Sequence, residues 1–331
     1  FSRILLAELL DVSPEQVVVW LEEASTSGLT TDASDPSGRS AFAHGLVRDA
    51  LACGHDPARR AQLHARAGQL LAARHARGAA EPSEVAHHFL LAGSYERALH
   101  FSLLAGRAAT EQLASSAALP HYQRALQALD HMPEDLHLRA GVLLDMAAAQ
   151  ATASDTSEAR ATYLQAMRLG RRLGCKETLA RAALGVSAPL PSDLDEEAIS
   201  LLREALAALA PSDALYALVA SALAKALCMS RDIPARSAAL ACALGAARAQ
   251  RDPMLRAEAL GMCHEAMSEP DQLPERAELS RELSAIARSD SNARLLLLAA
   301  RAQLQDAQEL GDMQTVAASL TMLEELARHV R

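Results

Sequence analysis

Residues 42–51 read FAHGLVRDAL, and the reading of the whole chain turns on them. They stand where a short, turn-rich, strand-capable segment gives way to almost unbroken helical periodicity. Upstream, Ile4, Leu5, Leu6, Leu9 and Leu10 form an apolar helical set. Ser13-Pro14-Glu15-Gln16 then supplies an N-cap serine, proline at N1 and glutamine at N3, the pattern of a capping box. The helix it starts carries Val17, Trp20, Leu21 and Ala24 on one face, which places Trp20 in the core. Gly28 ends that helix. Residues 29–31 and 40–42 are expected as two short strands around the turn cluster DASDPSG at 32–38.

Composition bounds what surrounds this stretch. Of the 331 residues, 50% are hydrophobic and only 3% aromatic, so the cores must be built from Ala, Leu and Val. Small side chains in that number suit close helix-on-helix packing and leave sandwiches or barrels little to pack with. The fold class is therefore all-α, apart from the N-terminal hairpin. Net charge is -9, and an acidic array does not attract phosphate backbones by counterion release. No apolar run reaches the roughly 18 to 20 residues a membrane span requires, and a signal peptide's basic-then-apolar start is missing. The five cysteines form no CxxC pair, which argues against a disulfide framework or zinc site and for buried free thiols in a reducing cytoplasm.

Helix, helix, hairpin, helix is the order of a winged helix lacking its first element. Its groove-reading helix holds Glu15, Glu22 and Glu23 and no Lys or Arg, so direct nucleic-acid binding is not expected. The run Ala43-His44-Gly45-Leu46-Val47-Arg48-Asp49 resembles the MHD-type signature that closes the winged-helix domain of STAND-class signalling ATPases. These include bacterial MalT-like and large LuxR- or SARP-type regulators. The resemblance implies that His44 senses the β-phosphate of bound ADP, with Phe42, Arg48 and Asp49 as structural neighbours. The chain departs from the signature at Ala43 and at Gly45, where the motif's acid is missing. The reading of His44 from the residues alone is a helix-start residue at a domain junction.

Further on, Asp56-Pro57 is another cap with proline at N1, opening a helix decorated by Arg59, Arg60, Arg66 and Arg74, expected as a solvated basic face. PARRAQLHARAGQLL followed by EVAHHFLLAGSYERAL also resembles the segment joining winged helix to repeats in those regulators. His87 and His88 are adjacent, about 100° apart on a helix, with no Cys or carboxylate at matching spacing, so no metal is expected.

From residue 93 the chain repeats. Ala118, Tyr122 and Ala125 recur as Ala159, Tyr163, Ala166, then Ala198, Leu202, Ala205, and more faintly Ala238, Cys242, Gly245. A further step reaches Ala277, Arg281 and Ser284, where the pattern has become polar. Small, large, small at i, i+4, i+7 lies on one helical face, the pattern of a tetratricopeptide-like repeat stretched to about 40 residues. The expected organisation is a partial winged-helix domain at 1–54, a helical connector at 55–92, and a TPR-like α-solenoid at 93–331 with a flexion point near 188–192. Pro120 falls inside an expected helix.

No GxxxxGK(S/T), GxSxG or HExxH occurs, and His264-Glu265 lacks a second histidine, so no catalytic site is expected in this segment. Both ends read as cut, and ADP or ATP is expected on an upstream domain outside these residues. The resemblance implies the sensor arm of a regulatory ATPase, binding a protein partner or small-molecule inducer on the concave face of the repeats and self-assembling when activated. The alternative from a different class is a stand-alone protein-interaction scaffold without nucleotide dependence.

Overall fold

The computed structural model describes residues 2–31, 40–54, 56–188, 194–290 and 292–329. Among them the chain is all-helical, with no named strand. It packs as two compact units, Phe1–Ser154 and Asp155–Arg331. The first contains α1 (Arg3–Leu10), α2 (Pro14–Thr26), α3 (Gly45–Cys53), α4 (Pro57–His75), α5 (Pro82–Leu91), α6 (Tyr95–Glu111), α7 (Ser115–Leu129) and α8 (Leu136–Thr152). The second contains α9 (Thr156–Leu173), α10 (Lys176–Ser187), α11 (Glu196–Ala208), α12 (Tyr216–Ala226), α13 (Ile233–Ala249), α14 (Pro253–Ala266), α15 (Leu273–Asp290), α16 (Ala293–Leu310) and α17 (Met313–His329). The expected turn at 32–38 and most of the flexion point near 188–192 lie outside the described residues.

Helix boundaries follow the caps. Ser13 Oγ accepts the Gln16 N–H at 3.3 Å, and Asp56 Oδ2 accepts the Arg59 N–H at 3.2 Å, each followed by proline at N1. Asp135, Asp155, Asp195, Asp232 and Asp252 cap α8, α9, α11, α13 and α14 in the same way. Gly28, with φ at 71°, follows the end of α2 and turns the chain out of the helix. Pro120 is the sixth residue of α7. It frees the Ser116 carbonyl from its usual donor, but both residues are exposed, so water replaces the lost bond.

Two expectations about the first unit are corrected. Trp20 is 44% exposed. The buried seam of α2 is Val17 and Leu21 against Ala7, and at about 100° per residue Trp20 sits to one side of that seam, roughly 80° from its centre. Nor is the arginine face of α4 simply solvated. Arg66 reaches Asp11 at 2.7 Å and the Glu8 carbonyl at 3.1 Å, while Arg74 reaches the Glu8 carboxylate at 2.8 Å. The two guanidinium groups tie α1 down onto α4. The thiols differ as well: Cys263 alone is buried, whereas Cys53 and Cys242 are exposed.

From α4 to α8 in the first unit and from α9 to α17 in the second, successive helices pack on one another around alanine. Ala118, Tyr122, Ala125, Ala159, Tyr163, Ala166, Ala198, Leu202 and Ala205 are all buried. The expected fourth set is not, since Ala238, Cys242 and Gly245 are exposed. One position on, Ala243 is buried and Ala239 and Ala246 are partly so. Arg281 is also exposed, and the sets of α15 buried at this spacing are Arg276, Ser280 and Leu283, and Ser280, Ser284 and Ala287. The register therefore slips by one between α11 and α13, which alanine on both faces of α13 conceals in the sequence.

Where a ring enters these cores, a glycine faces it. A β-carbon on Gly106 of α6 would lie 2.8 Å from the Tyr122 ring of α7. One on Gly68 of α4 would lie 2.9 Å from the Phe89 ring of α5, and one on Gly185 of α10 would overlap the Tyr163 ring of α9. In the second unit α10, α12, α14 and α16 also pack on one another in turn. Ion pairs between helices two apart flank this packing: Arg171 with Glu204 at 2.7 Å, Lys225 with Glu265 at 2.7 Å and Arg301 with Glu265 at 2.7 Å. Such partly exposed pairs add little each, about 0 to 1 kcal/mol, so burial holds the stack.

One polar cluster is buried within it. Asp306 of α16 accepts from Arg276 Nε at 2.7 Å and His264 Nε2 at 3.0 Å, and from the Ser280 hydroxyl. Arg276 also donates to the Met267 carbonyl at 3.1 Å and pairs with Glu309 at 2.5 Å. Burial pulls the Asp306 carboxyl upward, but the bonds it accepts from His264, Ser280 and Arg276 more than offset this and hold it below the ordinary carboxylate value.

Two sets of variants test this packing by urea unfolding. Gly185→Ala should lose about 1–3 kcal/mol to overpacking, more than the ~0.5–1 kcal/mol that alanine gains in a helix. Gly141→Ala, where the added carbon meets nothing within 4 Å, should keep that gain. Asp306→Ala removes the buried carboxylate shared by Arg276, His264 and Ser280, leaving Arg276 only its outer partner Glu309, and should cost up to about 3–5 kcal/mol.

Candidate functional site

Thr30 and Phe42 form a single antiparallel bridge, with the Thr31 N–H on the Ala41 carbonyl at 2.8 Å and the Ala43 N–H on the Leu29 carbonyl at 3.0 Å. The chain leaves this bridge directly into α3. The His44 carbonyl accepts from the Val47 N–H at 3.1 Å and the Arg48 N–H at 3.4 Å, so His44 stands at the helix start with its side chain exposed. Arg48 and Asp49 pair with each other at 2.8 Å on the exposed surface. Leu46 is 82% exposed and Leu51 is also uncovered. Among the described residues, then, α3 presents its polar start and its leucines outward.

A second set of residues is brought together by packing. Gly68 admits the Phe89 ring, and that contact fixes the register of α4 against α5. His64, one turn before Gly68, then meets His88, the neighbour of Phe89, with Nδ1 to Nδ1 at 2.9 Å. His87 lies beside both, with ring centroids 6.4 Å from His64 and 5.6 Å from His88. A bond between two imidazole nitrogens needs one protonated and one bare Nδ1, so the pair holds opposite tautomers. Burial first, then the neighbouring His64 and His87, pushes His88 down to about 4, against a smaller opposing effect of Glu84. Burial likewise lowers His64, His87 and His121. The cluster is neutral at neutral pH.

Of these rings, His87, His88 and His121 border a cavity of about 670 Å³ within the first unit. Leu5, Leu6 and Leu9 of α1 face it with Ala67 and Leu71 of α4, giving an apolar floor. Arg74, Glu84, His87, His88, His121 and Arg124 supply its polar wall. Arg124 Nη1 donates to His121 Nδ1 at 3.3 Å. No group of three or more His, Cys, Asp or Glu among the described residues is arranged to hold a metal ion. The cavity was not foreseen. The leucines of α1, the His87–His88 pair and the His121–Arg124 pair are far apart in sequence, and the nearest signal, Gly68 on α4, acquires meaning only opposite Phe89.

Comparison with protein-family models and with curated proteins finds no match for this chain. No helix among the described residues is long and apolar enough to cross a membrane.

The histidine cluster makes a signed prediction. A histidine held below its unfolded value of 6.5 leaves the unfolded chain binding more protons as the pH falls. Its stabilising effect is complete above about 6.5 and is lost progressively toward about 4. Unfolding free energy, followed in urea, should therefore decline between about pH 6.5 and 5, before most carboxylates titrate. His88→Gln should flatten that part of the profile, and an unchanged slope would count against the cluster as its source.

Proposed function

We propose that this chain is the winged-helix remnant and helical sensor arm of a bacterial STAND-class regulatory ATPase, acting in signal transduction and transcription regulation in the cytoplasm. One observation carries the reading: FAHGLVRDAL, which resembles the family's MHD-type signature, stands with His44 exposed at the start of a helix whose leucines are uncovered. A residue that reads a nucleotide on another domain has to be presented outward. The order α1, α2, bridge, α3 fits a winged helix lacking its first element. The buried small-large-small sets and the stacking of alternate helices favour a TPR-like solenoid.

In this mechanism ADP on a separate ATPase domain holds the winged helix closed through His44. A protein partner or small-molecule inducer binds the arm, favours the open, ATP-bound state and permits self-assembly. The arm itself performs no catalysis and reads no DNA.

The test is the nucleotide carried by the full-length native protein, released by denaturation and identified by chromatography. Wild type should release ADP and His44→Ala distinctly less. Equal release from both would reduce His44 to a packing residue, and no nucleotide from either, with ADP present throughout purification, would favour a scaffold without nucleotide control.

A further inference from the structure

We propose that the cavity between α1, α4, α5 and α7 binds an organic monocarboxylate with an apolar tail, its carboxylate on Arg124 and its tail along Leu5, Leu6 and Leu9. This deepens the sensor reading by naming a ligand class, and it rests on that reading only for the consequence of binding.

Size comes first. About 670 Å³ lies within the range of small-molecule sites, and the pocket combines an apolar floor with a few polar groups, as such sites do. The polar end selects the charge. Arg124 is half-buried and, among the described residues, is hydrogen-bonded only to the His121 ring. A guanidinium removed from water without a carboxylate gains more from an incoming anion than an exposed one does. Because His121 Nδ1 accepts from Arg124, its proton resides on Nε2, which adds a second donor on a residue lining the same cavity.

The remaining charges narrow the ligand further. Arg74, the other guanidinium on the wall, is already engaged by Glu8 at 2.8 Å, so one anionic group is matched rather than two. Glu84 is the single carboxylate lining the cavity, against two guanidinium groups, which disfavours an ammonium ligand. No Phe, Tyr or Trp lines the site, and its apolar surface is the aliphatic floor of α1 and α4. The leucines of α1 instead match an acyl chain, and α1 is held over α4 by the Arg66–Asp11 and Arg74–Glu8 pairs.

Calorimetric titration of the full chain with decanoate tests the assignment. Saturable one-to-one binding is expected, weakened about tenfold or more in Arg124→Gln, as loss of a charge-assisted hydrogen bond requires. Decanol should bind the wild type comparably weakly. Absence of saturable decanoate binding, or equal affinity for wild type and Arg124→Gln, overturns the proposal. Leu9→Phe is a second variant that narrows the floor and leaves the guanidinium in place. It should weaken decanoate and spare hexanoate, and unchanged decanoate binding overturns the placement of the tail. ADP retention and carboxylate binding are separate readouts, so either can fail alone.

Discussion

Close approach of alanine-lined helices is the constraint on which the rest of this structure depends. With nine aromatic residues in 331, the cores are made of side chains that project little from the backbone. Helices must come near each other to exclude water, and any larger side chain needs a gap in the opposing surface. Gly68, Gly106 and Gly185 supply those gaps for Phe89, Tyr122 and Tyr163. Each ring and its glycine form a lock between two helices, and the lock sets their register as well as their separation.

Register then determines which polar residues meet. The Phe89 ring on Gly68 brings His64 to His88 and, with α7 packed alongside, gathers His121 and Arg124 around the same cavity. The second unit offers a contrast. There α14, α15 and α16 enclose Arg276, Asp306 and His264, and every strong charge is answered by another. A fully partnered network is a structural element, costly only when broken. The first unit leaves Arg124 without a carboxylate among the described residues, and an incompletely answered charge beside an apolar floor suits a ligand.

The fold was largely legible in the sequence because its signals are local. Cap residues at Ser13, Asp56, Asp195 and Asp252 start helices by accepting the third N–H onward, and the small-large-small sets mark buried faces through Ala205. Legibility fails where locality fails. Trp20 fits an apolar face yet is exposed, because it lies to one side of the Val17–Leu21 seam that meets Ala7. Arg66 and Arg74 look like solvated charge yet anchor α1, because Glu8 and Asp11 lie far from them in sequence. On α13, alanine occurs on every face, so periodicity carries no register and the one-residue slip is invisible.

The sequence by itself determined that the chain is helical, that helices begin after Ser13 and Asp56, and that its cores are alanine-rich, since each follows from spacing and side-chain size within a few turns. It also placed His44 at a helix start. Only the tertiary structure decided that His44 faces outward, that His64 meets His88, and that Arg124 borders a cavity floored by α1. Those facts depend on which surfaces of distant helices touch. That choice is made by volume, by where a ring finds a glycine, and no property of either helix alone contains it.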